Sequence, residues 1–128
     1  MIGKMARMAV VGAVALTVAG AAPAMARGTD VVRRGDCSGT SEWKLKLSPE
    51  DGRIEVEFEV DSNVVGQTWS VRILENGERI FRGTRQTQAP SGSFEVRRLA
   101  ADTAGRDSFR ARATNAATGE TCVGTASI

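Results

Sequence analysis

Between Trp43 and Ser127 apolar side chains recur at every second position in run after run, and nowhere do they sustain the three-and-four spacing of a helix. Trp43, Leu45 and Leu47 alternate with lysines, Ile54, Val56, Phe58 and Val60 with glutamates, and Phe109, Ala111 and Ala113 with Arg110 and Arg112. Successive residues of an extended chain point to opposite faces, so the pattern predicts strands that are apolar on one side and wet on the other. Sheets of this kind must cover one another's apolar faces, which restricts the chain to an all-β fold.

The turns fix more of the layout. Ser48 to Arg53 (SPEDGR) predicts the first reversal. Placing Leu47 opposite Ile54 sets Lys46 against Glu55 and Lys44 against Glu57, so one register pairs apolar residues on one face and opposite charges on the other. Trp69, Val71 and Ile73 predict a further strand, and Asn76-Gly77 favours a tight hairpin after it. The returning segment Arg79 to Thr84 accepts two registers: a two-residue turn pairs Ile73 with Ile80, and a bulged turn pairs Val71 with Phe81. Phe94 and Val96 follow the loop Gln86 to Gly92, and Thr121 to Ser127 ends the series. Short strands at this spacing, with turn residues between them, predict an antiparallel β-sandwich of about seven strands.

The N-terminal residues have a different character. Lys4 and Arg7 precede an apolar run of about 15 residues that ends in Ala24-Met25-Ala26, the order of a cleavable secretory signal covering residues 1–26. A membrane span needs about 20 such residues, so no membrane attachment is expected after cleavage, a retained anchor being the alternative. Residues 27–36 (RGTDVVRRGD) read as a flexible leader and residues 37–128 as the folded domain. The expected product is secreted, either extracellular or associated with the cell wall.

Cleavage also changes the charge. The whole chain has 17 basic and 15 acidic residues; without Lys4 and Arg7, the only charged residues before Arg27, it has 15 of each. A neutral chain exerts no net long-range pull on nucleic acid, and no nucleic-acid partner is expected.

A domain of about 100 residues has a thin core, and export permits a covalent staple. A bond between Cys37 and Cys122 closes a loop of about 85 residues, worth roughly 4 to 5 kcal/mol in the chain-entropy model. Two free thiols or an intermolecular bridge are the alternative. With two cysteines and no histidine the ligand set of a zinc site is missing, and neither a metal nor another cofactor is expected.

Candidates for chemistry are few. The chain has no histidine and no tyrosine, so a serine or cysteine nucleophile would lack its usual base. Glu55, Glu57 and Glu59 stand about 7 Å apart along a strand, near the separation that glycoside hydrolysis uses, but they line a flat face opposite lysines and read as ion-paired surface. Asp61-Ser62-Asn63 and Glu50-Asp51 read as turns rather than calcium loops. No catalytic residue is identified. Alternation predicts that Arg110 and Arg112 face outward from their strand, as Ser70 and Arg72 do from theirs, with Arg82 a further cation on the returning segment. Guanidinium groups in register suit carboxylate or phosphate. The alternative is a solvated face balanced by Glu75, Glu78 and Glu120.

Asp107-x-Phe109-x-Ala111-x-Ala113 resembles the penultimate strand of immunoglobulin-like domains, whose pattern is Asp-x-Tyr-x-Cys-x-Ala. Trp69 with Asn76-Gly77 resembles their third strand and its turn, and Gly52-x-Ile54-x-Val56-x-Phe58 their second. The likeness spans residues 40–127 and extends to fibronectin-III-like sandwiches and to small exported proteins of high-GC Gram-positive bacteria. It implies a seven-stranded immunoglobulin-like antiparallel sandwich. Phe109 lacks the hydroxyl of a tyrosine corner. Ala111 and a partner near Val56 or Phe58 stand where the intersheet disulfide would lie, leaving Cys37 and Cys122 as a clamp between the beginning and end of the sandwich. By analogy the resemblance implies a monomeric, non-catalytic binding or interaction module, with an anionic cell-wall polymer or a protein as partner. Third and penultimate strands are sheet neighbours in that architecture, so the binding residues are then Arg72, Arg110 and Arg112 on one outer face, extended from the edge by Arg82, or the end loops Val64 to Thr68, Gln86 to Gly92 and Asn115 to Glu120. The alternative is a small-ligand carrier or enzyme inhibitor that holds a hydrophobic compound between its loops.

Overall fold

Each alternating run of the sequence is a strand in the computed structural model, which describes residues 28–128; the expected signal peptide lies outside the described residues. The strands are β1 (Val31–Asp36), β2 (Glu42–Glu50), β3 (Arg53–Asp61), β4 (Thr68–Glu75), β5 (Glu78–Gln86), β6 (Ser93–Ala101), β7 (Ser108–Asn115) and β8 (Thr121–Ser127). They form two four-stranded antiparallel sheets: sheet A in the order β1-β2-β3-β6, and sheet B in the order β5-β4-β7-β8. No helix occurs among the described residues, so none is long and apolar enough to cross a membrane.

The count is eight strands, not seven. Residues 31–36, expected within a flexible leader, run along β2 from Val31 opposite Leu47 to Asp36 opposite Glu42. Their sequence carries no strong alternation because the pairing rests on backbone groups of an otherwise open sheet edge, which are indifferent to side chains.

The first hairpin differs from its expected register by two residues. Leu47 lies opposite Val56, Lys46 opposite Glu57 and Lys44 opposite Glu59. The strands continue to Glu50 and Arg53, and the turn is Asp51-Gly52 alone, with φ of 48° and 77°. Asp-Gly at two consecutive left-handed positions suits the turn whose twist matches a hairpin. A shift of two keeps every side chain on its face, so the charge pairing survives with new partners.

The inner faces merge into one core, with Leu45, Leu47, Val56, Phe58 and Val60 of sheet A against Trp69, Val71, Ile73, Phe109 and Ala111 of sheet B. The Trp69 ring reaches across to Phe94 at 6.2 Å between centroids, and its indole N–H donates to the Gln67 side chain. On the side where β5 approaches β6, Phe81 is flanked by the guanidinium groups of Arg85 and Arg98, 4.9 and 5.3 Å from the ring centre. On the other side Cys37 and Cys122 are joined, with Cα atoms 4.3 Å apart. The bond ties the segment between β1 and β2 to β8, as the clamp reading expects, and excludes free thiols.

Half-buried Trp43 packs over two glycines. A Cβ built on Gly124 would lie 2.7 Å from the indole, and one on Gly35 equally close. Gly124→Val therefore displaces the ring toward solvent and costs about 1 to 3 kcal/mol by overpacking. The expected signature is a red-shifted tryptophan emission from Trp43 together with a lower midpoint in chemical denaturation, Trp69 remaining buried.

Candidate functional site

The arginines singled out from the sequence lie on the outer face of sheet B, on the central strands β4 and β7 and the edge strand β5. Register places Arg72 directly opposite Arg82 on one side and Arg112 on the other, a row of three across the sheet. Neighbouring strands are about 4.8 Å apart, so the row spans roughly 10 Å. Two register positions further along the strands, at the next place on the same face, Thr84, Ser70, Thr114 and Thr121 form a parallel row of hydroxyls. In the other direction Leu74 sits between Arg79 and Arg110.

Arg110 is thus on the predicted face but outside the row. It lines a separate hollow with Arg106 and Thr125, whereas Arg72, Arg82 and Arg112 line a common groove of about 490 Å³. The groove also includes Arg79, which the alternation does not predict. Regular alternation puts Arg79 on the same face as Phe81, the buried one. The strand contains a bulge instead: Glu75 pairs with Glu78 and Leu74 with Arg79 from a two-residue turn, and then Ile73 pairs with Phe81, leaving Ile80 extra. Neither expected register describes the whole hairpin, since the turn is the tight one and the strand beyond it slips by one. That slip turns Arg79 outward beside Arg82. Consecutive apolar residues Ile80-Phe81 in an edge strand are the sequence signal for it.

None of the three glutamates expected to balance this face forms an ion pair with its arginines. Glu75 is 8% exposed and faces the opposite side of sheet B, with Glu78 across from it. Burial, then the nearby Asp107, raises the Glu75 pKa. Glu120 accepts hydrogen bonds from the Ser41 backbone N–H and hydroxyl at 2.9 and 2.6 Å. Among the described residues, every ion pair belongs to the other side of the molecule: Lys46 with Asp30 and Glu57, and Arg97 with Glu55 and Glu57. The hydrogen bond from Arg97 lowers the Glu55 pKa to about 2. The glutamate row is therefore partly neutralised where it stands, while the arginines are not.

The end loops named from the sequence are linked to one another. Gly66 N–H donates to Thr87 O, Thr87 N–H to Gln67 O, Thr87 Oγ1 to Val64 O and Ala116 N–H to Thr68 O, at 2.6 to 2.9 Å. The hollow at this end is lined mainly by hydroxyl and backbone groups of Ser38, Ser41, Ser62 and Thr118, with Glu120 and Val64. Val64 and Val65 are exposed.

Fold and site together define an all-β protein of two facing antiparallel sheets with a disulfide clamp and one arginine-lined outer face. No family model, curated protein or solved structure matches the chain.

Proposed function

We propose that the chain is an exported, non-catalytic binding module of the immunoglobulin-like class that holds an anionic partner, a cell-wall polymer or an acidic protein segment, against the outer face of sheet B. The observation that carries this reading is the row Arg82–Arg72–Arg112, directly opposed across three strands, with no ion pair to any of the three among the described residues and no carboxylate lining their groove. Like charges directly opposite one another in a sheet are destabilising, so the row costs stability that a bound anion would return. The immunoglobulin-like reading is supported by β4 lying between β5 and β7 with β8 beyond, facing a sheet that contains β2, β3 and β6. Export is supported by the disulfide, which persists in oxidising compartments.

The test is a double charge reversal, Arg72→Glu with Arg112→Glu, assayed for retention of the purified protein on isolated cell walls and on secreted proteins of the producing cell. Both side chains are exposed, so the unfolding midpoint stays within the small range of surface substitutions. Retention falls by about tenfold or more, the equivalent of one charge-assisted contact. Unchanged retention sinks the arginine-face reading, and a small molecule retained in the native mass spectrum replaces it with the carrier reading.

A further inference from the structure

The geometry of the arginine face points to a particular ligand chemistry: we infer that it takes a linear phosphodiester polymer without bases, laid across the strands along the row Arg82, Arg72 and Arg112. This rests on the proposal that the outer face of sheet B is the binding face, and goes on to name what binds there.

Shape is the first argument. The three guanidinium groups repeat once per strand over roughly 10 Å, on an open sheet face. One small anion bridges two of them at most, whereas a chain bearing one charge per repeat meets them in succession. Arg79 and Arg110, two register positions along the strands on either side of Leu74, widen the positive strip without closing it into a pocket.

The second argument is the row of hydroxyls beside the row of arginines. A carboxylate offers its lone pairs in one plane, and the guanidinium fork takes both oxygens there. A phosphodiester keeps tetrahedral oxygens that leave that plane. Ser70, Thr84 and Thr114 stand two register positions from Arg72, Arg82 and Arg112 respectively, the next place on the same face and about 7 Å along the strands, within reach of an anion held by the long arginine side chains. Arginine alone suits both anions; arginine with a flanking hydroxyl row favours phosphate.

The third argument concerns what the face lacks. Strands that bind single-stranded nucleic acid pair their cations with exposed aromatic side chains on which bases stack. On β4 and β7 the aromatic residues Trp69 and Phe109 are turned into the core, and Phe81 on β5 is buried as well. The outward apolar positions of sheet B are Leu74 and Val123, both half-buried and neither aromatic. The strip provides charge and hydroxyl donors but no stacking platform.

The experiment compares four probes on the full chain by titration calorimetry: poly(glycerol phosphate), its monomer glycerol 3-phosphate, polygalacturonate and oligothymidylate. Poly(glycerol phosphate) is expected to bind at least about 100-fold more tightly than the monomer. Its affinity should fall with salt with a logarithmic slope of roughly −2 to −3, the signature of about three neutralised phosphates. Thr84→Val with Thr114→Val should lower affinity for the phosphate polymer about fivefold or more and leave the weaker binding of polygalacturonate unchanged. Equal affinity for monomer and polymer, for polygalacturonate, or for oligothymidylate overturns the phosphodiester assignment. In each of those cases loss of binding in the Arg72→Glu, Arg112→Glu variant still upholds the face. Binding of the polymer that this variant leaves untouched removes the face itself, and with it the assignment. Arg72→Gln, which adds no negative charge, serves as the milder variant if the double reversal does not fold.

Discussion

Replacing Cys37 and Cys122 with alanine lowers the free energy of unfolding by about 4 kcal/mol, most of the margin of a domain this small. The bond spans 85 residues and joins the segment before β2 to β8, so its loss frees nearly the whole chain in the unfolded state. The native state loses less, because Cys37 N–H still donates to Ser41 O, Ser38 N–H to Thr121 O and Glu120 still accepts from Ser41. The effect should therefore appear as a lower denaturation midpoint with little change in the native spectrum. Thermal unfolding with and without a reductant gives the same comparison on the unmodified chain. A midpoint unaltered by reduction contradicts the clamp as a source of stability.

Asp107→Ala is expected to cost about 3 kcal/mol, because it strips one buried carboxylate from several donors at once. Asp107 is fully buried. Its carboxylate accepts from Asn76 Nδ2 at 2.9 Å, from the Thr103 backbone N–H at 3.0 Å and from the Thr103 hydroxyl. Its backbone exchanges hydrogen bonds with Ile128 at 2.9 and 3.0 Å, so the β4–β5 turn, the loop before β7 and the C-terminus meet at this residue. The bond from Thr103 is the main reason its pKa lies below the ordinary 3.8. A depressed acid contributes stability that is fully present above its unfolded pKa and lost as pH falls through its folded one. Unfolding measured between pH 6 and pH 2 should thus show an acid-side loss that Asp107→Asn reduces. Glu75 acts in the opposite sense: its raised pKa makes the folded state less stable as pH climbs through it, so Glu75→Gln flattens that part of the profile. An acid limb identical in Asp107→Asn and the unmodified protein contradicts the assignment.

Parts of this molecule are legible in its sequence because they follow period two. The inward positions Trp69, Val71, Ile73, Phe109, Ala111 and Ala113 are all buried, and the outward placement of Arg72, Arg110 and Arg112 follows from them. A neighbouring position of β4 and β7 then aligns Arg72 with Arg112. What alternation does not encode is backbone economy. Strand β1 pairs with β2 through main-chain groups, and beyond half-buried Val31 its contribution is an absence, the bare Gly35 beneath Trp43. The bulge at Ile80 inverts parity within a single strand, which hides Arg79 from any reading that counts by twos. The first hairpin slips by two because a shift of that size preserves both faces, so only the Asp51-Gly52 turn, and not the pattern, selects the true register. The missing balance of charge on sheet B is likewise a tertiary fact: Glu120 is near Arg112 in sequence but is occupied with Ser41, 79 residues away along the chain.

The most direct test is a nitrogen–proton correlation titration of the isotopically labelled protein with poly(glycerol phosphate), followed at the backbone amides and the arginine Nε–H groups. The arginine-face account predicts that the largest shifts cluster on Arg72, Arg82, Arg112 and the adjoining Ser70 and Thr114, with sheet A quiet. Shifts confined to the loops around Val64 and Thr118, or to the glutamate face of β3, would contradict it.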